Sequence, residues 1–291
     1  MKLKEYPKIS ILTPSLNQGQ YIEENIRSVL VQNYPKLEHI VIDGGSTDDT
    51  VNILKKYSHL KWVSEPDEGQ AHALNKGLKM SSGDIIGWQN SDDYYLDGTF
   101  HSVAKKFNRN ENTRWVIGEP ISKFEEEELF YKPPTSEVSS LSYEDLLCAK
   151  PKLVHPHTTF MKKDLIVEAG GWDKSFYMLM DLDLWLRMIK ISEPKVFNEF
   201  WSVFRWHEEQ KTDLRNDFRK LREFNEIFRR EGTPRIRLFF NNLYRLIRYN
   251  KMFLKKSVKK ALENLGIIRR DFYFKRFKGQ GEFSRKIEDL I

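Results

Sequence analysis

Short apolar runs alternate, over the first two thirds of the chain, with stretches in which apolar positions recur every three or four residues. Lys8 to Thr13 is a β-branched run that reads as a strand, and Pro14-Ser15-Leu16-Asn17-Gln18-Gly19 breaks it before an amphipathic helix over about 20–32. Glu38 to Ile42 predicts a second strand. Asp43-Gly44-Gly45-Ser46-Thr47-Asp48-Asp49 then turns the chain into another helix, with Ser46 or Thr47 suited to cap it. Lys61 to Ser64 predicts a third strand, followed by Glu65-Pro66-Asp67-Glu68-Gly69 and a helix from Gln70 to about Met80; Asp84 to Trp88 predicts the fourth strand.

Further on, a helix is expected after Asp97 to about Asn108 and a strand over Trp115 to Gly118, with the acidic run Glu125 to Glu128 as a solvated hairpin or loop. Pro133-Pro134-Thr135-Ser136 reads as a loop. His155 to Met161 leads into a strand, Gly170-Gly171-Trp172-Asp173 punctuates the chain before a helix, and Ser202 to His207 is the last strand-like run. Strands alternating with helices at this spacing predict an α/β domain over 1–207, its mostly parallel sheet covered by helices on both faces. From Glu208 to the C-terminus the composition shifts to helix formers with many Lys, Arg, Phe and Leu, so 208–291 reads as a basic helical extension, divided at Gly232-Thr233-Pro234.

The chain has 291 residues, 40% of them hydrophobic and 13% aromatic, enough to bury a core. Its one cysteine, Cys148, has no intramolecular partner, and no apolar run approaches the ~18 residues of a membrane span. A cytoplasmic location is the expectation. The net charge of +6 is concentrated near the C-terminal end, where 235–277 mixes aromatics with basic residues as an interfacial helix does. An anionic surface on the inner face of a membrane is one partner for it; packing on the main domain is the other reading. Nucleic acid is not expected, because the polar loops upstream are acidic.

In parallel sheets the ligand sits outside the carboxyl ends of the strands, and each polar loop here follows a strand. Thr13-Pro14-Ser15, Asp43-Gly44-Gly45, Asp67 to Gln70 and Asn90-Ser91-Asp92-Asp93 should therefore converge on one crevice of carboxylates, hydroxyls and amides. That lining suits a ribose, a base edge and a metal. Neither a G-x-x-x-x-G-K-[ST] loop nor G-x-G-x-x-G is present, which weighs against kinase, P-loop and dinucleotide chemistry. Asp92 and Asp93, adjacent at a strand end, repel each other and favour a divalent cation beside them; a turn or helix cap is the plainer reading. Asp181 and Asp183 would point to different sides of a helix's first turn, one toward a cleft and the other toward a cap or toward Arg187. His155 and His157 lack a third soft ligand for zinc. The residue pattern leaves His207 open between core, surface and site.

Together these loops resemble glycosyltransferase family 2, the inverting nucleotide-sugar transferases of GT-A fold, over roughly residues 7–207. Ile9 to Asn17 looks like the family's first strand and nucleotide loop, which adds Asn17 to the candidates. His39 to Asp48 looks like its second, whose first acid contacts the base, so Asp43 inherits that role. Gly69 to Gly77 is similar to the segment before the metal motif and places Asn75 among the nucleotide-binding candidates. Asn90-Ser91-Asp92-Asp93 occupies the place of the D-x-D motif, with Asn90 in place of its first acid. Met180-Asp181-Leu182-Asp183 matches E-D-x-D with Met for Glu, which puts Asp181 on the catalytic base. Phe204-Arg205-Trp206-His207 resembles the closing motif whose histidine approaches the diphosphate or metal. The resemblance implies a GT-A, Rossmann-like mixed sheet flanked by helices, and a metal-dependent transfer using Mn or Mg held by Asp92, Asp93 and His207. It implies a nucleotide-sugar donor, UDP before dTDP, and a glycan or lipid-linked acceptor in surface polysaccharide synthesis. A non-catalytic nucleotide-sugar or glycan-binding module of the same fold is the alternative; a nucleotidyltransferase would want a basic, Gly-rich first loop.

Overall fold

A computed structural model describes residues 6–126, 128–134, 140–147, 154–207, 210–211, 217–233 and 281–291. Cys148, Thr135, Ser136 and the basic segment 235–277 lie outside them. The described chain divides into two units, residues 1–210 with 282–291, and residues 211–281. In the second unit the described element is helix α8 (Asp217–Arg230), where Glu226 pairs with Arg229 (2.7 Å) and Arg230 (3.1 Å).

The first unit is built on a mixed sheet of ten strands among the described residues. Strands β1 (Ile9–Ser15), β2 (Leu37–Asp43), β3 (Lys61–Ser64) and β4 (Ile85–Trp88) form its parallel half, in the order β4-β1-β2-β3. Helices α1 (Ile22–Leu30), α2 (Thr50–Leu54) and α3 (Gln70–Met80) make the crossovers. Every residue of β1 is buried, as expected where helices cover both faces. One face packs Ile9, Ile11 and Ile85 against Phe100, Val103 and Trp201, and a separate cluster joins Ile22, Ile26, Val41, Ile53 and Leu54. In α3, Gly77 lets the helix lie close on the sheet: a Cβ there would stand 2.6 Å from Ile42 Cδ1.

The second half of the sheet is largely antiparallel. After β5 (Tyr94–Tyr95) and helix α4 (Thr99–Arg109), β6 (Trp115–Phe124) turns back into β7 (Leu129–Lys132). Helix α5 (Tyr143–Leu147) precedes β8 (Thr159–Lys162), which pairs antiparallel with both β4 and β6. Helices α6 (Lys163–Glu168) and α7 (Met180–Ile189) lead to β9 (Lys195–Trp206), which runs parallel to β6 and antiparallel to β5. The α/β class expected from the alternation is the one observed, with its parallel character concentrated in the first four strands.

β1 runs on through Pro14 and Ser15, the pair read as its break, and two later strands exceed their predicted lengths by several residues. β6 continues past Gly118 through Phe124, and β9 begins at Lys195, seven residues before the apolar run at Ser202. The two pair along their whole length through a register shift near Glu119, so each supplies the other's backbone partners where the side-chain pattern is irregular. Glu282–Ser284, grouped by composition with the extension, instead forms β10 on the edge of β7, and Leu290 packs with Leu96, Ile121 and Val203.

A buried carboxylate ties the opposite ends of the parallel strands together. Glu38, at the start of β2, accepts hydrogen bonds from Ser10 Oγ (2.5 Å), Lys61 Nζ (2.5 Å), and the Ser82 amide (2.8 Å) and hydroxyl (2.9 Å). Burial raises its pKa, but these donors outweigh burial and hold it at about 2 against an ordinary 4.5. A depressed carboxylate stabilises the fold above its unfolded pKa, and that contribution is lost as pH falls from about 4.5 through about 2. Urea unfolding of Glu38→Gln should show a loss on the order of 2 kcal/mol at pH 7 and a flatter stability profile between those pH values. Profiles that superimpose with wild type would remove Glu38 from this role.

Candidate functional site

The loops after β1, β2 and β3 are hydrogen-bonded to one another. Gly44 N–H donates to the Ser15 carbonyl (2.8 Å) and Glu65 N–H to the Asp43 carbonyl (3.0 Å), continuing the ladder past the strand ends. Asn17, at φ 53°, takes the left-handed conformation that asparagine tolerates. Its amide N–H donates to Ser46 Oγ (2.7 Å) and its side-chain oxygen accepts from Thr47 N–H (2.8 Å). Asp48 accepts from Gly19 N–H (2.7 Å) in the same way.

Asp43 is the centre of this construction. Fully buried, it accepts from Gly45 N–H (3.2 Å), Ser46 N–H (2.9 Å), the Ser46 hydroxyl and Ser64 Oγ (2.6 Å). A carboxylate offers about four acceptor sites, and four donors fill them. The side chain assigned by resemblance to the base is thus engaged in shaping the loops. Thr13 is likewise fully buried, with its hydroxyl 3.0 Å from His39 Nε2, so it does not line the crevice by its side chain; Pro14 is buried too. Ser15 Oγ is buried without a hydrogen-bond partner. Asp67 is partly exposed beside Gly44, one oxygen accepting from Gly69 N–H (2.7 Å).

Of the four polar residues at the end of β4, Ser91 and Asp93 are buried, and Asn90 and Asp92 are partly exposed. Asn90 Oδ1 accepts from Gln70 Nε2 (2.8 Å) and Trp88 Nε1 (2.9 Å). Beneath it Asn25, wholly buried on α1, donates to the Asn90 (2.8 Å) and Asp93 (2.9 Å) carbonyls. Asp93 is 1% exposed; it accepts from Arg205 N–H (3.0 Å) and lies 3.4 Å from His157 Nδ1. Burial, with the Asp92 charge second, pushes the Asp93 pKa well above the usual carboxylate range; burial pushes that of His157 well below. Asp93, expected as a metal ligand, is therefore an interior residue. Ser91 is buried as well. Asp92 remains 21% exposed, and its Oδ2 lies 3.1 Å from His207 Nε2.

Strand directions explain that meeting across 115 positions. β8 runs opposite to β4, β6 opposite to β8, and β9 along β6, so His207 emerges at the same end of the sheet as Asp92. Tyr21 packs on the His207 ring (4.7 Å). Arg205, 4% exposed, sits over Tyr21 and Tyr94 and pairs with Glu24 and with Glu125 (2.6 Å), which gives one residue of the acidic turn a structural partner.

The same reasoning follows the chain from β8 to α7. Helix α6 starts where Lys163 N–H meets the Asp84 carbonyl, below β4, and the chain then reaches Trp172, packed edge-on against Trp88 at the upper end (5.9 Å). α7 descends to Ser192, whose carbonyl accepts from Trp115 Nε1 (2.7 Å) at the start of β6. Asp181 stands in the first turn of α7, the end of that helix nearer in the chain to Trp172. Asp183 is buried and pairs with Arg187 (2.5 Å), which also reaches the Ala169 carbonyl. Of the two acids it is Asp183 that binds Arg187. Asn75 donates to the Trp172 carbonyl (2.7 Å) and accepts from its amide (3.1 Å).

Asn25, Trp88, Trp172 and Arg205 were not singled out by sequence reasoning. Asn25 carried a signal: an amide on the helix face defined by Ile22, Ile26 and Val29, where the period calls for an apolar residue.

The profile of Glycosyl transferase family 2 matches residues 10–169. A candidate teichuronic acid biosynthesis glycosyltransferase of Bacillus subtilis, TuaG, is 39% identical over 232 residues, 71% of this chain and 86% of that protein. An uncharacterized glycosyltransferase of Rickettsia typhi is 27% identical over 218 residues, 73% of this chain and 69% of its own. Among solved structures, S. aureus TarS 1-349 in complex with UDP-GlcNAc superposes with a TM-score of 0.61 at 17% identity, over 76% of this chain and 66% of that one. The mannosyltransferase PcManGT from Pyrobaculum calidifontis, in complex with GDP-Man and Mn2+, superposes with a TM-score of 0.58 at 18% identity, over 79% and 66%. This chain spans about two thirds of these solved chains, and the likeness to them is one of fold.

Replacing Asp43 by Ala removes the fully buried acceptor of four hydrogen bonds, each of which contributes about 1 kcal/mol. Thermal or urea unfolding of Asp43→Ala without ligand should show a loss of about 3 kcal/mol or more. A loss under about 0.5 kcal/mol, as at an ordinary surface site, would show that the loops hold without it.

Proposed function

Because this chain belongs to glycosyltransferase family 2, we propose that it transfers a sugar, with inversion, from a nucleotide-diphosphate donor to a hydroxyl of a glycan or lipid-linked acceptor. What supports this reading most is the Asp92–His207 pair, 3.1 Å apart at the strand ends where the nucleotide loops also converge. UDP is the first candidate nucleotide; solved proteins of this fold hold UDP-GlcNAc or GDP-Man. Synthesis of a surface polysaccharide is supported by the relative assigned to teichuronic acid.

Asp92 and His207 suit Mn2+ or Mg2+. The 3.1 Å between Asp92 Oδ2 and His207 Nε2 matches two neighbouring ligands on an ion with bonds of about 2.1 Å. Among the described residues no group of three or more such ligands forms. Such ions are commonly held by one or two carboxylates with substrate phosphates and water filling the other positions. When bound, the cation would stabilise negative charge on the departing diphosphate.

The chain's own residues divide the remaining work. Asp43 and Asn17 shape the loops that receive the nucleoside, and Gly44, Asp67 and Gln70 border it; Asp67 offers the partly exposed carboxylate for base or ribose. Asn90 and Asp93, held from within by Asn25 and the Arg205 amide, set the direction of Asp92. Asp181 takes the proton of the acceptor hydroxyl as its oxygen bonds to the anomeric carbon and the carbon–diphosphate bond breaks on the opposite face. No covalent enzyme intermediate is needed.

Asp181→Asn should retain UDP binding but lose turnover of the sugar nucleotide by on the order of 100-fold or more. A variant that turns over at near wild-type rate would take Asp181 out of the mechanism. For Asp92→Ala, calorimetry should show that Mn2+ no longer strengthens UDP binding, whereas wild type gains at least about tenfold; equal affinity with and without Mn2+ in wild type would remove the ion from the reading.

No helix among the described residues is long and apolar enough to cross a membrane. For 235–277 the proposal remains peripheral attachment to anionic lipid, on its sequence alone, with each basic residue near the surface contributing about 1 kcal/mol. Flotation with phosphatidylserine vesicles should show binding at low salt that is lost at high salt. Equal flotation with neutral vesicles, or none, would rule out that attachment.

A further inference from the structure

The carboxamide of Asn75, on α3, is occupied by the backbone of a single residue 97 positions away. Its Nδ2 donates to the Trp172 carbonyl (2.7 Å) and its Oδ1 accepts from the Trp172 amide (3.1 Å). The turn gripped in this way carries two left-handed glycines, Gly170 at φ 88° and Gly171 at φ 71°. A Cβ on Gly171 would stand 2.7 Å from Asn75 Oδ1, so the turn is shaped to admit that carboxamide. The Trp172 ring packs on Trp88, whose Nε1 donates to Asn90 Oδ1 in the turn that carries Asp92. Asp181 follows Trp172 by nine positions, beyond Phe176 and Leu179, which are both buried.

We infer that Asn75 is a positioning residue for sugar transfer: it clamps the Gly170–Trp172 turn, and so fixes the start of α7 with Asp181, against the donor side of the crevice. The inference rests on the reading of Asp181 as the base. A second tie between the same elements, Glu68 to Lys174 at 2.6 Å, joins side chains that are 67% and 50% exposed, and pairs of that kind contribute little. The two Asn75 bonds are partly shielded, and losing one partner leaves buried backbone groups unmatched, so the clamp carries more of the placement. A base displaced by about 1 Å loses on the order of 100-fold in rate, so the clamp is felt in turnover before it is felt in donor binding.

The test compares the full chain with Asn75→Ala and with the size-matched Asn75→Asp, whose carboxylate keeps the acceptor for the Trp172 amide but repels the Trp172 carbonyl. Hydrogen exchange, UDP affinity by calorimetry with Mn2+, and release of UDP or GDP from UDP-GlcNAc or GDP-mannose are measured on each. In both variants exchange over 170–183 should rise tenfold or more while 43–47 and 90–93 stay as in wild type. UDP affinity and donor KM should hold within twofold while kcat falls tenfold or more. Unchanged exchange over 170–183 overturns the clamp, and faster exchange with unchanged kcat overturns its part in transfer. A tenfold weaker UDP affinity with unchanged exchange would make Asn75 a donor ligand instead. If wild type neither binds UDP nor turns over either donor, the transfer reading fails, and with it the catalytic half of the inference; the exchange data then decide the clamp by themselves.

Discussion

The turn that ends β4 is held from inside the protein, and the geometry of the crevice depends on that. Asn25 supplies two donors to the carbonyls of Asn90 and Asp93, and Arg205 supplies its amide to the Asp93 carboxylate. Buried polar groups are costly when unmatched, so a turn with this many internal partners has few alternative conformations. Its consequence is a division of labour between neighbours. Asp93 is drawn into the interior beside His157, and Asp92 is left at the surface to meet His207.

The two halves of the sheet contribute to the site in different ways. The parallel half brings three loops to one end by repetition of strand, loop and helix, and cross-bonds them through Asp43, Asn17 and Asp48. The antiparallel half contributes by reversal. Two changes of direction, at β8 and β6, followed by the parallel return of β9 carry His207 to the same end, while the segment between α6 and α7 brings Trp172 onto Trp88 at the end of β4. Arg205 joins the halves, its guanidinium between the rings of Tyr21 and Tyr94 and its charge met by Glu24 and Glu125.

Several elements could be read from the chain because local signals agree there. β3 and α3 begin and end where the apolar run and the helical period place them, with Gly69 before the helix and Ser81-Ser82-Gly83 after it. β6 and β9 could not be read in full: their outer portions are fixed by pairing with each other through a register shift, a partnership between residues about 80 apart that leaves no local period. The return of Glu282–Ser284 to the sheet is of the same kind, since an edge strand of three residues carries almost no pattern of its own.

By itself the sequence determined the alternation of elements, the family, and the list of polar loops that follow strands, because apolar period and turn chemistry are local properties. Tertiary structure decided which partner inside the protein each of those polar atoms meets. Asp43, Thr13, Asn75, Asp93 and Asp92 look alike in the sequence, yet each meets a different partner from elsewhere in the chain: Ser64, His39, Trp172, the Arg205 amide and His207. Hydrogen bonds are satisfied in three dimensions, so the identity of a residue gives its capacity to donate or accept, and only the fold gives the partner.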